Sequence, residues 1–126
     1  AFAMNYTPAN DPANVAKAAI KLELNRVMTG PPITGPVAVG VVAVFPRPAS
    51  MFLKKKDMPR VRKPTKPDLD NIAKNVLDAL NKLAFVDDAL VARIECEKWI
   101  ASGYEQPHLQ ITITELHDEK TESKRS

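Results

Sequence analysis

The sequence predicts an α/β (α+β) domain, a small mixed β-sheet with two main helices packed on it. Three observations carry this. Two stretches, 12–28 and 71–83, repeat apolar residues at helical spacing. Val37–Phe45 is valine-rich with almost no polar alternation, the pattern of a strand covered on both faces. Two late stretches, 89–100 and 109–115, alternate apolar and polar residues and are expected to form an antiparallel hairpin. The expected order is helix, strand, helix, strand, strand, which suits helices layered on a small sheet.

Composition narrows the class. A chain of 126 residues with 44% hydrophobic and 26% charged residues is one domain on length and can bury a core unaided. The single cysteine, Cys96, excludes an intrachain disulfide and a CxxC zinc site. No apolar run approaches the length of a membrane helix, so no membrane partner is expected. No signal-peptide pattern opens the chain, so the expected compartment is the cytoplasm. Ala1-Phe2-Ala3 is given no structural weight, and 5–10 reads as a loop.

The elements follow in order. Asp11 is a suitable N-cap and Pro12 a suitable first residue for the helix 12–28. Val15, Ala19 and Leu22 lie on its apolar face, which Ile20, Leu24, Val27 and Met28 widen, and Thr29-Gly30-Pro31-Pro32 ends it. Pro46 and Pro48 end the valine-rich strand. The proline-rich stretch 47–67 has no sustained period and is expected to be a long mobile loop. In the second helix, 71–83, Ile72, Ala73, Val76, Leu77, Leu80 and Leu83 form one stripe that continues to Ala84. In 89–100, Leu90, Ala92, Ile94, Cys96 and Ile100 face one way, and Arg93, Glu95 and Glu97 the other. Residues 117–126 are charged, lack apolar side chains and are expected to fray outside a domain of 1–116.

Function is sought where charge gathers. Arg47, Lys54, Lys55, Lys56, Arg60, Arg62, Lys63 and Lys66 face only Asp57, so this segment carries +7 and the rest −4 of a net +3. It runs directly into Lys66-Pro67-Asp68-Leu69-Asp70-Asn71, and after the second helix come Phe85-Val86-Asp87-Asp88. Asp70 is placed as the N-cap of that helix, and Lys74, one turn on, can reach back towards it. A polyanion held by the basic segment would lie across these carboxylates. Carboxylates without histidine or cysteine partners suit Mg²⁺ or Mn²⁺, which activate water and stabilise charge at a phosphorus centre. Together the parts specify metal-assisted phosphodiester hydrolysis. Asp88 can join Asp68 and Asp70 only if the strand after it runs back beside them.

A plainer reading makes Asp70 a helix cap, Asp68 a solvated loop residue and Asp87-Asp88 a turn, all favoured places for aspartate. Cys96 reads as a small buried hydrophobe. His108 and His117 have no ligand spacing, and Trp99 and Tyr104 suit a core edge better than base stacking. No glycine-rich phosphate loop, GxSxG or HExxH is present, so no small-molecule cofactor is expected.

These residues resemble a known family. Lys66-Pro67-Asp68-Leu69-Asp70-Asn71, then Lys74, Leu77-Asp78-Ala79-Leu80-Asn81 and Asp87-Asp88 are similar to the RusA family of Holliday junction resolvases, with the strong match covering 66–91. Tyr6-Thr7-Pro8 and Leu109-Gln110-Ile111-Thr112-Ile113 fit it less specifically. The resemblance implies a RusA-like fold and a homodimeric, often prophage-encoded crossover junction endodeoxyribonuclease. It would use Mg²⁺ or Mn²⁺ and nick four-way DNA junctions in pairs during recombination and repair. It implies that Asp68, Asp70 and Asp88 are the essential acidic residues, Lys74 the catalytic lysine and Asp87 an acidic neighbour. Lys54, Lys55, Lys56, Arg60, Arg62, Lys63 and Lys66 would bind the DNA backbone. The family usually opens with a strand and a basic segment, and the residues ahead of Tyr6 are too few for both, so that strand is expected to be absent. Two other classes stand beside this one: a non-catalytic branched-DNA-binding module, and an interaction domain whose acidic residues are structural.

Overall fold

A computed structural model describes residues 2–6, 17–53 and 57–118. The elements are β1 (Phe2–Tyr6), α1 (Lys17–Val27), β2 (Val37–Phe45), β3 (Val61–Arg62), α2 (Leu69–Leu80), β4 (Val91–Ile100) and β5 (His108–Glu115). Short 3-10 turns occupy Ala49–Met51 and Asp88–Leu90. The five strands form one mixed sheet in the order β1-β5-β2-β4-β3. The fold is α+β, as the sequence predicts.

Three expectations are corrected. First, β4 and β5 do not pair as a hairpin. β2 lies between them, parallel to β4 and antiparallel to β5. The stretch 101–107 is long enough to carry the chain across β2, whose unbroken apolar sequence favours a central place. Second, a strand does stand at the N-terminal end of the described chain: Phe2–Tyr6 pair antiparallel with Leu109–Ile113. Its Met4 is buried, so a short apolar residue run gained a partner edge that local sequence does not announce. Third, the segment after β2 is not simply a loop, as its anchors below show.

Both helices cover one face of the sheet. Ile20 and Leu24 of α1 and Ile72, Val76, Ala79 and Leu80 of α2 meet the odd-numbered residues of β2 and β5, including Val39, Val41, Ile111 and Ile113. β2, expected to be covered on both faces, is therefore covered by helices on one face only, a further correction. Its even positions Gly40 and Val42 open on a shallow trough with Arg93, Glu95, Glu97, Gln110 and Thr112. Asp11, Pro12 and Val15, and the chain from residue 119, lie outside the described residues. Among the described residues no helix is long and apolar enough to cross a membrane.

Candidate metal and nucleic-acid site

α2 begins two residues earlier than its periodicity predicts. Asp68, not Asp70, is the N-cap, with an extended backbone and its carbonyl accepting from Asn71 and Ile72. Leu69 continues the helix, so the cap falls one turn-half ahead of the first buried residue, Ile72. Asp68 makes no side-chain capping bond, and its carboxylate is half exposed. Asp70 lies in the first turn, exposed, where the helix N-terminus favours negative charge. Lys66 Nζ stands 3.0 and 3.1 Å from the two oxygens of Asp68. A cation is thus already drawn to this carboxylate, although the pair is exposed and adds little stability.

The backbone leading into Asp68 is held from the sheet. Lys98 Nζ donates to the carbonyls of Thr65, at 2.7 Å, and Pro67, at 2.9 Å. Cys96 Sγ lies 3.9 Å from the carbonyl oxygen of Leu69. Burial pushes the Cys96 thiol up to about 11, with Glu97 adding to the rise. The N-terminus of α2 therefore sits at the level of Cys96–Lys98.

Asp87 and Asp88 sit elsewhere. Asp87 caps the turn Asp88–Leu90 and accepts from Ala89 N at 3.4 Å. Just before it, Val86 N donates to Ile33 O, ahead of the first residues of β2. This is the start of β4, and from Val91 to Cys96 the strand advances roughly 17 Å. The helix between the two aspartate pairs is about 18 Å long. The strand after Asp88 does run back beside Asp68, but Asp88 stays at its far end. Among the described residues no three acidic, histidine or cysteine side chains gather closely enough to hold one ion. Lys74 is exposed on α2 and forms no ion pair with Asp70 among the described residues.

The basic segment is anchored rather than free. Arg47 donates to the carbonyls of Met51, Pro59 and Ala101. Arg60 Nε reaches both oxygens of Glu105 at 3.0 Å, and Glu105 also accepts from Ser102 N. The Arg60 guanidinium holds the Glu105 carboxyl down to about 2, with Ser102 N helping against a desolvation that opposes. Arg60 is correspondingly raised, chiefly by the same bond. Val61 and Arg62 pair with Ile100 and Trp99 as β3. The Arg62 guanidinium lies 3.9 Å from the centroid of the Trp99 ring, whose Nε1 donates to Glu97. Lys63 Nζ donates to Thr65 Oγ1 and stands 5.0 Å from the Phe45 ring centroid. Arg62 and Lys66 remain largely exposed, whereas Arg60 is occupied by Glu105. Lys54, Lys55 and Lys56 lie outside the described residues.

Sequence reasoning counted Arg47 only as part of the basic segment and missed Lys98 and Glu105. Lys98 had a readable signal, since it shares the register of Cys96 and Ile100 on the helix-facing side of β4. A lysine there needs acceptors, and two carbonyls supply them. The anchoring of Arg47 and Glu105 had none, because Ala101 and Arg60, the partners that tie the segment to the sheet, are distant in sequence.

The donor set fits a hard divalent ion, since Asp68 and Asp70 offer only oxygen and Asp68 is uncapped. The family described as Endodeoxyribonuclease RusA matches residues 3–114. A Bacillus subtilis (strain 168) protein, uncharacterized protein YqaN, is 37% identical over 89 residues. That similarity covers 67% of this chain and spans 61% of the relative's length.

Proposed function

The chain belongs to the RusA endodeoxyribonuclease family, and from that premise we propose that it is a metal-dependent nuclease that resolves four-way DNA junctions by paired nicks in recombination and repair. The observation that carries this reading is the continuity of an anchored basic strip with an uncapped carboxylate. Arg62, Lys63 and Lys66 lead along the edge of the sheet straight into Asp68 and Asp70 at a helix N-terminus. A DNA backbone lying on the strip would present its phosphates to those carboxylates.

In this reading Asp68 and Asp70 hold Mg²⁺ or Mn²⁺, Asp88 completes the set, and Asp87 supports it. The bound ion would supply charge stabilisation at the phosphoryl oxygens and an acidic water. Lys74, exposed one turn along α2, places an ammonium beside the phosphate negative charge. Lys66 neutralises Asp68 in the free protein and turns to the DNA backbone when the ion binds. Lys98 keeps the carbonyls of Thr65 and Pro67 fixed, so the Asp68 carboxylate starts from one position. Within one protomer Asp88 stands at the other end of α2. A second protomer running the opposite way is the simplest source of an Asp88 near Asp68. A homodimer also suits the near two-fold symmetry of a four-way junction, one nick per protomer.

The separation of the aspartate pairs also favours a second reading, a branched-DNA-binding module without catalysis. The two part on one experiment. The protein is incubated with a labelled four-way junction and a matching linear duplex, with Mg²⁺ or with EDTA. Symmetric nicks in the junction alone, dependent on Mg²⁺, support the nuclease. Salt-dependent junction binding without nicks supports the module, and neither binding nor nicking removes both.

A further inference from the structure

The chain leaves the sheet after Phe45 and returns as β3, and the described residues of that excursion are firmly tied. Ala101 N donates to Phe45 O at 2.8 Å, joining the ends of β2 and β4. Arg47 donates to three carbonyls, those of Met51, Pro59 and Ala101. The turn Ala49–Met51 is closed by Met51 N on Pro48 O and Phe52 N on Ala49 O. Leu53 N donates to Met58 Sδ at 3.3 Å, and Met58 O accepts from Gly103 N. A side chain at Gly103 would collide with that of Met58, so the two lie in close contact. The excursion and the turn between β4 and β5 thus support each other.

The tied unit presents apolar side chains to water. Phe52 is 49% exposed and Leu53, next to it, 53%. Tyr104, expected at a core edge, follows Gly103 and is 94% exposed. A single exposed apolar residue is ordinary. Here two adjacent ones are held out on a loop whose base is fixed by an arginine on three carbonyls. The unit stands at the same end of the sheet as Asp68. Lys98, which holds the carbonyls of Thr65 and Pro67, precedes Ala101 by about 10 Å of strand. The cationic residues Arg62 and Lys63 belong to the same segment and lead towards Asp68.

A linear duplex offers such a surface phosphates and stacked bases. At the branch point of a four-way junction, base pairs can lose a stacking neighbour and open a face to an apolar side chain. A wedge in continuous duplex must part a stacked step, whereas at a branch point that cost is already met in part. We propose that Phe52 and Leu53 form a wedge that enters the branch point, with Phe52 lying on an exposed base, and that this tip selects junction over linear duplex. The proposal rests on the junction-nuclease reading above and names the residues that recognise its substrate. The cations of the strip meet phosphates, which junction and duplex share, so they add affinity without this selectivity.

The test measures binding of the whole protein in EDTA to a four-way junction with 2-aminopurine at the branch point, and to a linear duplex of matching sequence. Phe52→Ala is expected to weaken junction binding about tenfold or more. It is expected to leave duplex binding within about twofold and the salt slope unchanged, which also shows that the variant is folded. The change in 2-aminopurine fluorescence on binding should be lost with Phe52→Ala and kept with Phe52→Trp, which restores junction affinity to within about threefold. Lys63→Ala, by contrast, should weaken both ligands alike and lower the salt slope by about one. Equal loss on both ligands, or on neither, with Phe52→Ala overturns the wedge and leaves the junction reading standing. A parent protein that does not distinguish junction from duplex overturns both. Phe52-dependent sedimentation with phosphatidylglycerol vesicles, at unaltered junction selectivity, assigns the tip to a lipid surface and overturns the proposal. A change of mass in solution with Phe52→Ala assigns it to a contact between proteins and does the same.

Discussion

Lys98 Nζ donates a 2.9 Å hydrogen bond to the carbonyl of Pro67, the residue immediately before the uncapped Asp68. A second bond, to Thr65, brackets the same turn. An ammonium shared by two carbonyls cannot be replaced by an apolar side chain without stranding both acceptors. Lys98→Met is expected to lower stability by about 1–2 kcal/mol. It is also expected to raise the Mg²⁺ concentration for half-maximal nicking about tenfold, because the ligand loses its fixed approach. Thermal unfolding and a Mg²⁺ titration of junction nicking read the two effects separately. An unchanged Mg²⁺ requirement would leave Lys98 a purely structural residue.

Asp70 lies exposed in the first turn of α2 with no hydrogen bond that the fold depends on. Asp70→Asn is therefore expected to cost less than about 1 kcal/mol, the loss of a favourable charge at a helix start. Junction binding measured by gel shift in EDTA should persist, while Mg²⁺-dependent nicking should fall by at least about a hundredfold. Full nicking by this variant would remove Asp70 from the proposed metal site.

Glu105 ties Arg60 to the turn between β4 and β5, and its carboxyl is held down to about 2 from an ordinary 4.5. The group is charged in the folded protein well below the pH at which the unfolded chain protonates it. Its contribution is complete above about pH 5 and fades as the pH falls from 4.5 towards 2. Glu105→Gln is expected to cost about 1–2 kcal/mol at pH 7, discounted because the pair is partly exposed. The gap between parent and variant should narrow through that acid window in urea melts. A gap independent of pH would deny the ion pair its role.

Lys82 follows the C-terminus of α2 with a positive φ of 67°, where its N–H donates to Phe85 O at 2.8 Å. Its side chain is exposed, so the residue contributes little packing there. A glycine adopts this backbone without the steric cost a lysine carries. Lys82→Gly is expected to stabilise the protein by about 0.5–1 kcal/mol, with a midpoint about 2–4 °C higher by calorimetry.

The parts of the fold that were legible are those governed by local period. The stripe Ile72–Val76–Leu80 announced α2, and the alternation at Leu109–Ile113 announced β5. The division of β4 into a face with Cys96 and a face with Arg93, Glu95 and Glu97 was legible for the same reason. Pairing was not, because period says which way a side chain points and not which strand lies beside it. β2 therefore entered between β4 and β5 unannounced, and Phe2–Tyr6 found β5 without a sequence signal. In the candidate site, the aspartates were legible by type and order. Their separation along α2 was legible as well, from the length of the helix; the level at which the returning strand passes Asp68 was not, since that depends on how α2 packs on β4. The anchoring of the basic segment was hidden because Arg47–Ala101 and Arg60–Glu105 link residues far apart in sequence.

The strand order also sets how the sheet opens. β2 and β5 are each bonded on both sides, whereas β3 pairs with β4 over Val61 and Arg62 only, flanked by the Arg60–Glu105 pair and the Lys63 N–Lys98 O bond. Amide hydrogen exchange should then be slowest in β2 and β5 and fastest at β3, with the β3 amides exchanging by local release and not by global unfolding. The strip that meets DNA in the proposed function is thus the part of the sheet with the fewest ladder bonds, held in place by the side chains of Arg60, Arg62 and Glu105 instead. Its shape against a bent or branched backbone is set by those side chains, while the helix-covered centre is set by the ladder.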